Sequence, residues 1–250
     1  MKKRKINPLF VLYLVVIFLP IMVISTTFTA ILTIIFSFAG DHRWTYFPAV
    51  IWGKLFCYLA FIRVKINGKE NFSPKKSYIF VSNHQSIYDV FVIYGWLNSR
   101  FKWIMKNSLR KIPLVGFACE KAGHIFIDRS SPLKAQKSIK NAEEKLKNGA
   151  SVVIFPEGSR TKDGNVNKFK RGAFKIAEDL KLPIVPITID GAYKAMPHNS
   201  FYIKPCKIVA TIHQHIDCEQ LTEENMEQYI AKTRETIING LHQNKNQTNL

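Results

Sequence analysis

From Leu9 to Ala39 the chain carries no charged residue, an interval of 31 residues. A helix of ~20 apolar residues spans the hydrocarbon of a bilayer, so this run constrains everything around it. A cleaved signal peptide is excluded by length, since its apolar core runs only ~7–15 residues. Two arrangements remain: one tilted helix kinked at Pro20, or a helix that enters one leaflet and returns. The second is favoured, because another apolar stretch, Phe47 to Ile62, follows almost at once and is interrupted only by Lys54, which can snorkel. Asp41, His42, Arg43, Trp44 and Tyr46 lie between the two and have the character of interface residues. The basic start Met1-Lys-Lys-Arg-Lys5 and the basic remainder favour the cytoplasm. Residues 1–65 are therefore expected to form a helical membrane anchor, with the rest of the chain on the cytoplasmic face.

Lys and Arg number 36 against 18 Asp and Glu, a net charge of +18. Such a surface favours an anionic partner: nucleic acid, a phosphorylated substrate or an anionic membrane. The apolar run selects the membrane. Cys57, Cys119, Cys206 and Cys218 are widely spaced, without disulfide or zinc patterning, and read as reduced thiols.

Past Val64 the texture becomes that of an α/β domain. Strands are expected at Tyr78–Ser82, Lys102–Met105, His124–Ile127, Ser151–Phe155, Ile184–Ile189 and Lys207–His213. The last two mix continuous apolar runs with alternation, which fits a sheet covered on most of its area. Helices are expected at Leu133–Asn148, with Ser131 as cap, Pro132 in the first turn and Gly149 closing it, and at Arg171–Leu180. A further amphipathic helix, Leu221–Leu241, presents Met226, Tyr229, Ile230, Ile237 and Leu241 on one side, and the polar end from His242 is expected to fray. Strands alternating with helices predict a mixed, largely parallel sheet flanked by helices. The division expected is anchor 1–65, catalytic domain 66–218, C-terminal helix and tail 219–250.

The residues suited to chemistry follow two strands. After Tyr78-Ile-Phe-Val81 come His84 and Asp89. With Ser86 as N-cap a helix begins at Ile87, and a carboxylate at its third position reaches back toward the residues before the cap. An imidazole oriented by a carboxylate is the general-base half of a triad without its serine. After the second strand, Phe155-Pro-Glu-Gly-Ser-Arg160 offers a carboxylate, a flexible glycine, a hydroxyl and a guanidinium where open α/β sheets bind ligands. Gly158 admits close backbone approach to an anion, and Arg160 is a bidentate fork for phosphate. Glu157 either orients a substrate hydroxyl or pairs with an arginine.

Four ordered blocks over roughly Ile66 to His215 resemble the glycerolipid acyltransferases, in particular the 1-acyl-sn-glycerol-3-phosphate acyltransferase family. Asn83-His-Gln-Ser-Ile-Tyr-Asp89 is similar to the family's N-H-x4-D block, and Gly123-His-Ile-Phe-Ile-Asp-Arg129 to its second, which implies substrate binding by Arg129. Phe155-Pro-Glu-Gly-Ser-Arg160 resembles the third, with serine where threonine is common. Val185-Pro-Ile187 resembles the fourth, which gives Pro186 a role on the acyl side. Lys106, in a segment where Ser108 replaces the usual glutamate, becomes a phosphate candidate with Arg129 and Arg160; Lys170 and Arg171 either extend that patch or form a solvated basic face.

The resemblance implies direct transfer of an acyl group from a thioester to the sn-2 hydroxyl of lysophosphatidate, giving phosphatidic acid. His84 and Asp89 act as general base, and no enzyme nucleophile is needed. No G-x-S-x-G elbow is present, so Ser159 reads as a loop hydroxyl. No metal or resident cofactor is expected; acyl-coenzyme A or an acyl carrier protein serves as co-substrate. Membrane lipids are the expected partners, and nucleic acid is not. The alternatives are acylation of another lysophospholipid or of glycerol 3-phosphate, a non-catalytic tethered basic protein whose binding is lost with salt, or a metal hydrolase recruiting His124, His213 or His215.

Overall fold

The computed structural model describes residues 7–38, 42–128 and 150–248, and between the last two 130, 131, 134, 138, 140 and 146. The expected helix at 133–148 falls largely outside them. Leu146 is described, and is buried against the sheet.

The long apolar run is one helix, α1 (Pro8–Ser37), begun by Asn7, whose side chain accepts from the N–H groups of Leu9 and Phe10. The irregularity expected at Pro20 occurs as a π-helical stretch, Leu14–Phe18, closed by Leu19 N–H donating to Leu14 C=O. Pro20 has no N–H to give to the preceding turn, and the wider turn absorbs the loss. Helix α2 (His42–Leu59) runs back along α1: Phe36 meets Trp44, Trp52 Nε1 donates to Thr26 Oγ1 at 2.9 Å, Phe18 meets Phe56, and Tyr13 O–H donates to Leu59 C=O. One face of this hairpin is bare. Leu9, Val23, Ile24, Phe28, Ile35, Phe47 and Ile51 are all more than half exposed.

The other face is part of the main core. Among the described residues seven strands form one sheet: β1 (Arg63–Asn67), β2 (Ile79–Ser82), β3 (Phe101–Lys106), β4 (Ile125–Ile127), β5 (Ser151–Ile154), β6 (Ile184–Asp190) and β7 (Lys207–Ile212), in the order β1-β7-β6-β2-β5-β3-β4. All neighbours are parallel except β6 and β7. The largely parallel sheet is therefore as expected, with β1 an unforeseen edge strand. The expected strands recur with ends moved by one residue at most.

Strand β2 explains its own burial. Phe80 points to one side, into the buried cluster that also holds Phe56 of α2 and residues of helix α3 (Tyr88–Trp96); Ile79 and Val81 point to the other, into the cluster with α5 (Gly172–Leu180) and α7 (Met226–Thr248). Both faces are covered, so no residue of the strand can be polar until Ser82. Between them stand α4 (Val115–Lys121), after β3, and the short α6 (Ala192–Ala195), after β6. Helix α7 continues to Thr248 where fraying was expected, with Asn244 buried.

Helices α2 and α3 approach more closely than side chains permit. A Cβ on Gly53 would lie 2.7 Å from Phe91 C=O, and one on Gly95 would lie 3.1 Å from Lys54 Cγ. The hairpin is thereby pressed onto the helix that carries Asp89.

Candidate active site

Strands β2 and β5 are parallel neighbours, and both release their chains at the same end of the sheet. The two loops beyond them, 83–87 and 155–161, are thus adjacent, in the crevice where open α/β sheets place ligand sites.

The first loop is anchored by Asn83. Its amide donates to Ile189 C=O at 2.9 Å and accepts from Ile189 N–H at 2.8 Å, extending the β2–β6 ladder by one side chain. His84 then turns toward Asp89. Helix α3 starts at Tyr88, one residue later than expected, although Ser86 Oγ still accepts from Tyr88 N–H at 3.3 Å. Asp89 reaches back as a capping carboxylate does. Its Oδ2 accepts from Gln85 N–H at 2.6 Å, Ser86 N–H at 2.8 Å and His84 Nδ1 at 2.8 Å. An acceptor surrounded by donors requires a proton on Nδ1, leaving Nε2 with the lone pair. Asp89 is fully buried, which three donors to one oxygen make tolerable.

The second loop begins with a turn. Gly158 N–H donates to Phe155 C=O at 3.1 Å, with Pro156 at the position whose fixed φ suits it. Gly158 itself has φ +79°, in the left-handed region open to glycine. The Phe155 ring lies flat against His84, centroids 4.0 Å apart and planes 6° from parallel. Glu157 is buried, and its oxygens accept backbone N–H groups, from His84 at 2.7 Å to Oε1 and from Asn167 at 2.9 Å to Oε2. Burial raises its pKa, opposed by these two N–H donors. This carboxylate holds two main-chain segments together. Thr161 N–H donates to His84 C=O at 2.9 Å, so the second loop grips His84 by both its peptide groups.

A cavity of about 1090 Å³ lies between the hairpin and this end of the sheet, at the upper limit of small-molecule sites. His84, Lys106, Gly158 and Arg160 line it, and so do Met22, Ala30 and Trp52 of the hairpin. Lys75, Lys76, Arg100 and Lys102 line it as well, so the imidazole, six cations and an apolar chamber share one space. Other expected residues stand apart from it. Glu157 is behind the wall, Ser159 is exposed on the loop, Pro186 is buried within β6 opposite Val81, and Arg129 lies outside the described residues. Arg171 faces Glu223 and Glu227 at 3.6 Å. His124 and His213 are occupied away from His84, by Tyr94 O–H and Thr188 Oγ1, both at 2.8 Å.

Two parts of the site were unforeseen. Phe155 is the platform for His84, and its signal was period-two alternation: it shares a sheet face with Val153, two residues earlier. The second is a cluster on the cavity wall, where rings pass from Phe155 to Trp103 at 5.4 Å and on to Tyr94 at 5.6 Å. There His124 Nδ1 accepts from Trp103 N–H, and Nε2 faces Tyr94 O–H. Burial, reinforced by Lys102, pushes the His124 pKa down to about 3, so the ring is neutral.

Residues 63–190 match the family model described as Acyltransferase. The chloroplastic 1-acyl-sn-glycerol-3-phosphate acyltransferase of Arabidopsis thaliana is 38% identical over 184 residues, 71% of this chain and 51% of that protein. The 1-acyl-sn-glycerol-3-phosphate acyltransferase of Limnanthes douglasii is 31% identical over 190 residues, 76% of this chain and 67% of that one. The chain spans about half the length of the chloroplastic relatives it matches. The crystal structure of the 1-acyl-sn-glycerophosphate acyltransferase from Thermotoga maritima superposes with a TM-score of 0.80 at 29% identity, covering 96% of both chains.

Proposed function

Since the chain belongs to the acyltransferase family, we propose that it moves a fatty acyl group from a thioester donor to the sn-2 hydroxyl of 1-acyl-glycerol 3-phosphate, producing phosphatidic acid. The observation that carries this reading is the placing of His84, oriented by Asp89 and Phe155, in the wall of an apolar chamber that Lys106 and Arg160 line with four further cations. The relatives named for this acceptor supply the substrate class.

In the reaction His84 Nε2 takes the hydroxyl proton as that oxygen bonds to the thioester carbonyl carbon. The tetrahedral adduct then expels the thiolate, which recovers the proton from the imidazolium. Asp89 stabilises the imidazolium and fixes its tautomer. Arg160 and Lys106 hold the phosphate, with Arg129 as a third candidate, so the position of the phosphate selects which hydroxyl meets His84. The apolar chamber takes acyl chain. The α1–α2 hairpin, with its bare apolar face, seats the enzyme in one membrane leaflet, the sheet on the cytoplasmic side. Acceptor and product then never cross water.

The test is thiol release from acyl-coenzyme A with and without lysophosphatidate, comparing wild type with His84→Ala. A positioned base contributes ~10²–10⁴-fold. Acceptor-dependent turnover that drops by that order supports acceptor and base together. Turnover that survives the substitution removes the base and keeps the acceptor. An acceptor that stimulates neither acyl-coenzyme A nor acyl-carrier-protein consumption overturns the reading.

A further inference from the structure

The segment between β3 and the end of α4 exposes apolar side chains for which the fold has no use. Leu109, Ile112, Leu114 and Phe117 are 42%, 43%, 37% and 49% exposed. They are held outward by a rigid turn. Ile112 N–H donates to Leu109 C=O, Gly116 N–H to Ile112 C=O, and Ala118 N–H to Leu114 C=O, while a Cβ on Gly116 would strike Arg110 C=O at 2.1 Å. Leu114 adopts φ +61° and ψ −51°, the centre of a strained γ-turn closed by Val115 N–H donating to Pro113 C=O at 2.6 Å. A strained residue held by its surroundings to display an apolar side chain calls for a partner.

The surroundings say which. Lys121 Nζ sits over two rings, 5.2 Å from the centroid of Phe38, which ends α1, and 5.3 Å from that of Phe117. The patch is thus continuous with the exposed apolar face of the hairpin. Cations border it: Lys111, exposed; Arg110, paired with Glu120; and Lys121. Leu109 and Ile112 also line the cavity that holds His84.

We propose that Leu109–Phe117 is a second membrane-inserting patch, seated in the same anionic leaflet as the hairpin and bringing the flank of the cavity into the lipid. Leu114 and Phe117 enter the acyl boundary, while Lys111 and Lys121 meet anionic headgroups. This rests on the membrane reading of the hairpin given above. A lysophosphatidate molecule then slides from the leaflet past Leu109 and Ile112 toward Arg160.

The first test is fluorescence of Phe117→Trp against wild type on phosphatidylglycerol–phosphatidylcholine vesicles with brominated acyl chains. The native tryptophans are common to both, so the difference reports position 117. More than half of the added emission is expected to be quenched. Protein that floats with the vesicles while position 117 stays unquenched overturns the proposal alone; protein that does not float overturns it together with the membrane reading. The second test is the pair Leu114→Asn and Phe117→Gln, neither of which lines the cavity, with Phe117→Gln also leaving the strained backbone of position 114 untouched. The hairpin still binds vesicles, so the readout is kinetic: KM for vesicle-borne lysophosphatidate rises roughly five- to tenfold, while kcat on a detergent-dispersed short-chain acceptor is unchanged. An unaltered vesicle KM, or an equal loss on both acceptors, overturns the proposal.

Discussion

The main-chain N–H of His84 donates to Oε1 of Glu157 across 2.7 Å, although 73 residues of chain separate them. With Thr161 N–H on His84 C=O, this fixes the backbone from which the imidazole projects, as Asp89 and Phe155 fix the ring. The imidazole is thus held by contacts within the fold alone, so the substitutions around it have separable effects.

Glu157→Gln keeps size and loses one acceptor, because its NH₂ confronts an N–H of His84 or of Asn167. A buried donor left unsatisfied costs about 1–3 kcal/mol. A lower melting temperature and a roughly tenfold fall in kcat are expected, with KM for lysophosphatidate little changed. Calorimetry and steady-state kinetics on one preparation check both.

Asp89→Asn retains an oxygen for Gln85 and Ser86 N–H but removes the charge facing the imidazolium. The expected result is a fall in kcat of about 10²–10⁴-fold, with a melting temperature close to wild type. A loss of fold as large as the loss of rate would show that Asp89 serves mainly to close the loop.

If Arg160 holds the phosphate as proposed, Arg160→Ala removes a charge-assisted contact worth about 1.5–3 kcal/mol, so KM for lysophosphatidate rises roughly 10–100-fold while kcat changes much less. Raising ionic strength weakens acceptor binding in the wild type and has less effect in the variant. A kcat defect with unchanged KM would remove Arg160 from phosphate binding.

His124 predicts an acid-sensitive fold. Its folded pKa is pushed down to about 3 by burial, against ~6.5 when unfolded. Above 6.5 both states are neutral and the stability is complete; as pH falls below 6.5, the unfolded chain gains a proton that the folded chain refuses. Stability is lost through that window at about 1.4 kcal/mol per pH unit. Denaturant midpoints at pH 7 and pH 5 should show wild type losing about 2 kcal/mol more than His124→Asn.

Gly53→Ala tests the fit of the hairpin. Its methyl would stand 2.7 Å from Phe91 C=O, a backbone atom that cannot swing away. Overpacking costs about 1–3 kcal/mol, so thermal unfolding is expected some 4 °C lower or more. No change would mean that α2 shifts on α3 without resistance.

What the sequence made legible divides along physical lines. Strands β2 and β5 could be read because burial on both faces leaves nothing polar in Ile79–Val81 or Val152–Ile154. Strand β1 escaped because it is a five-residue edge, with Arg63 and Lys65 outward, coming directly after an apolar helix. The reversed direction of β7 is written in its pairing with β6, not in its residues. His84 and Asp89 could be paired because capping is local. The contacts of Glu157 could not, since its partners, His84 and Asn167, are chosen by the way two strands come to lie side by side.

The hairpin contributes Phe56, Cys57 and Ala60 to the same buried cluster as Phe80 and Val185. Trimming the chain before Ile62 in pursuit of a water-soluble enzyme would not detach an appendage. It would strip Phe91 and Tyr94 of their covering and open the chamber along one side, leaving a raw apolar face. The hairpin and the sheet behind it are one folding unit, so on the proposed membrane reading a detergent or lipid environment would sustain the fold as well as access to substrate.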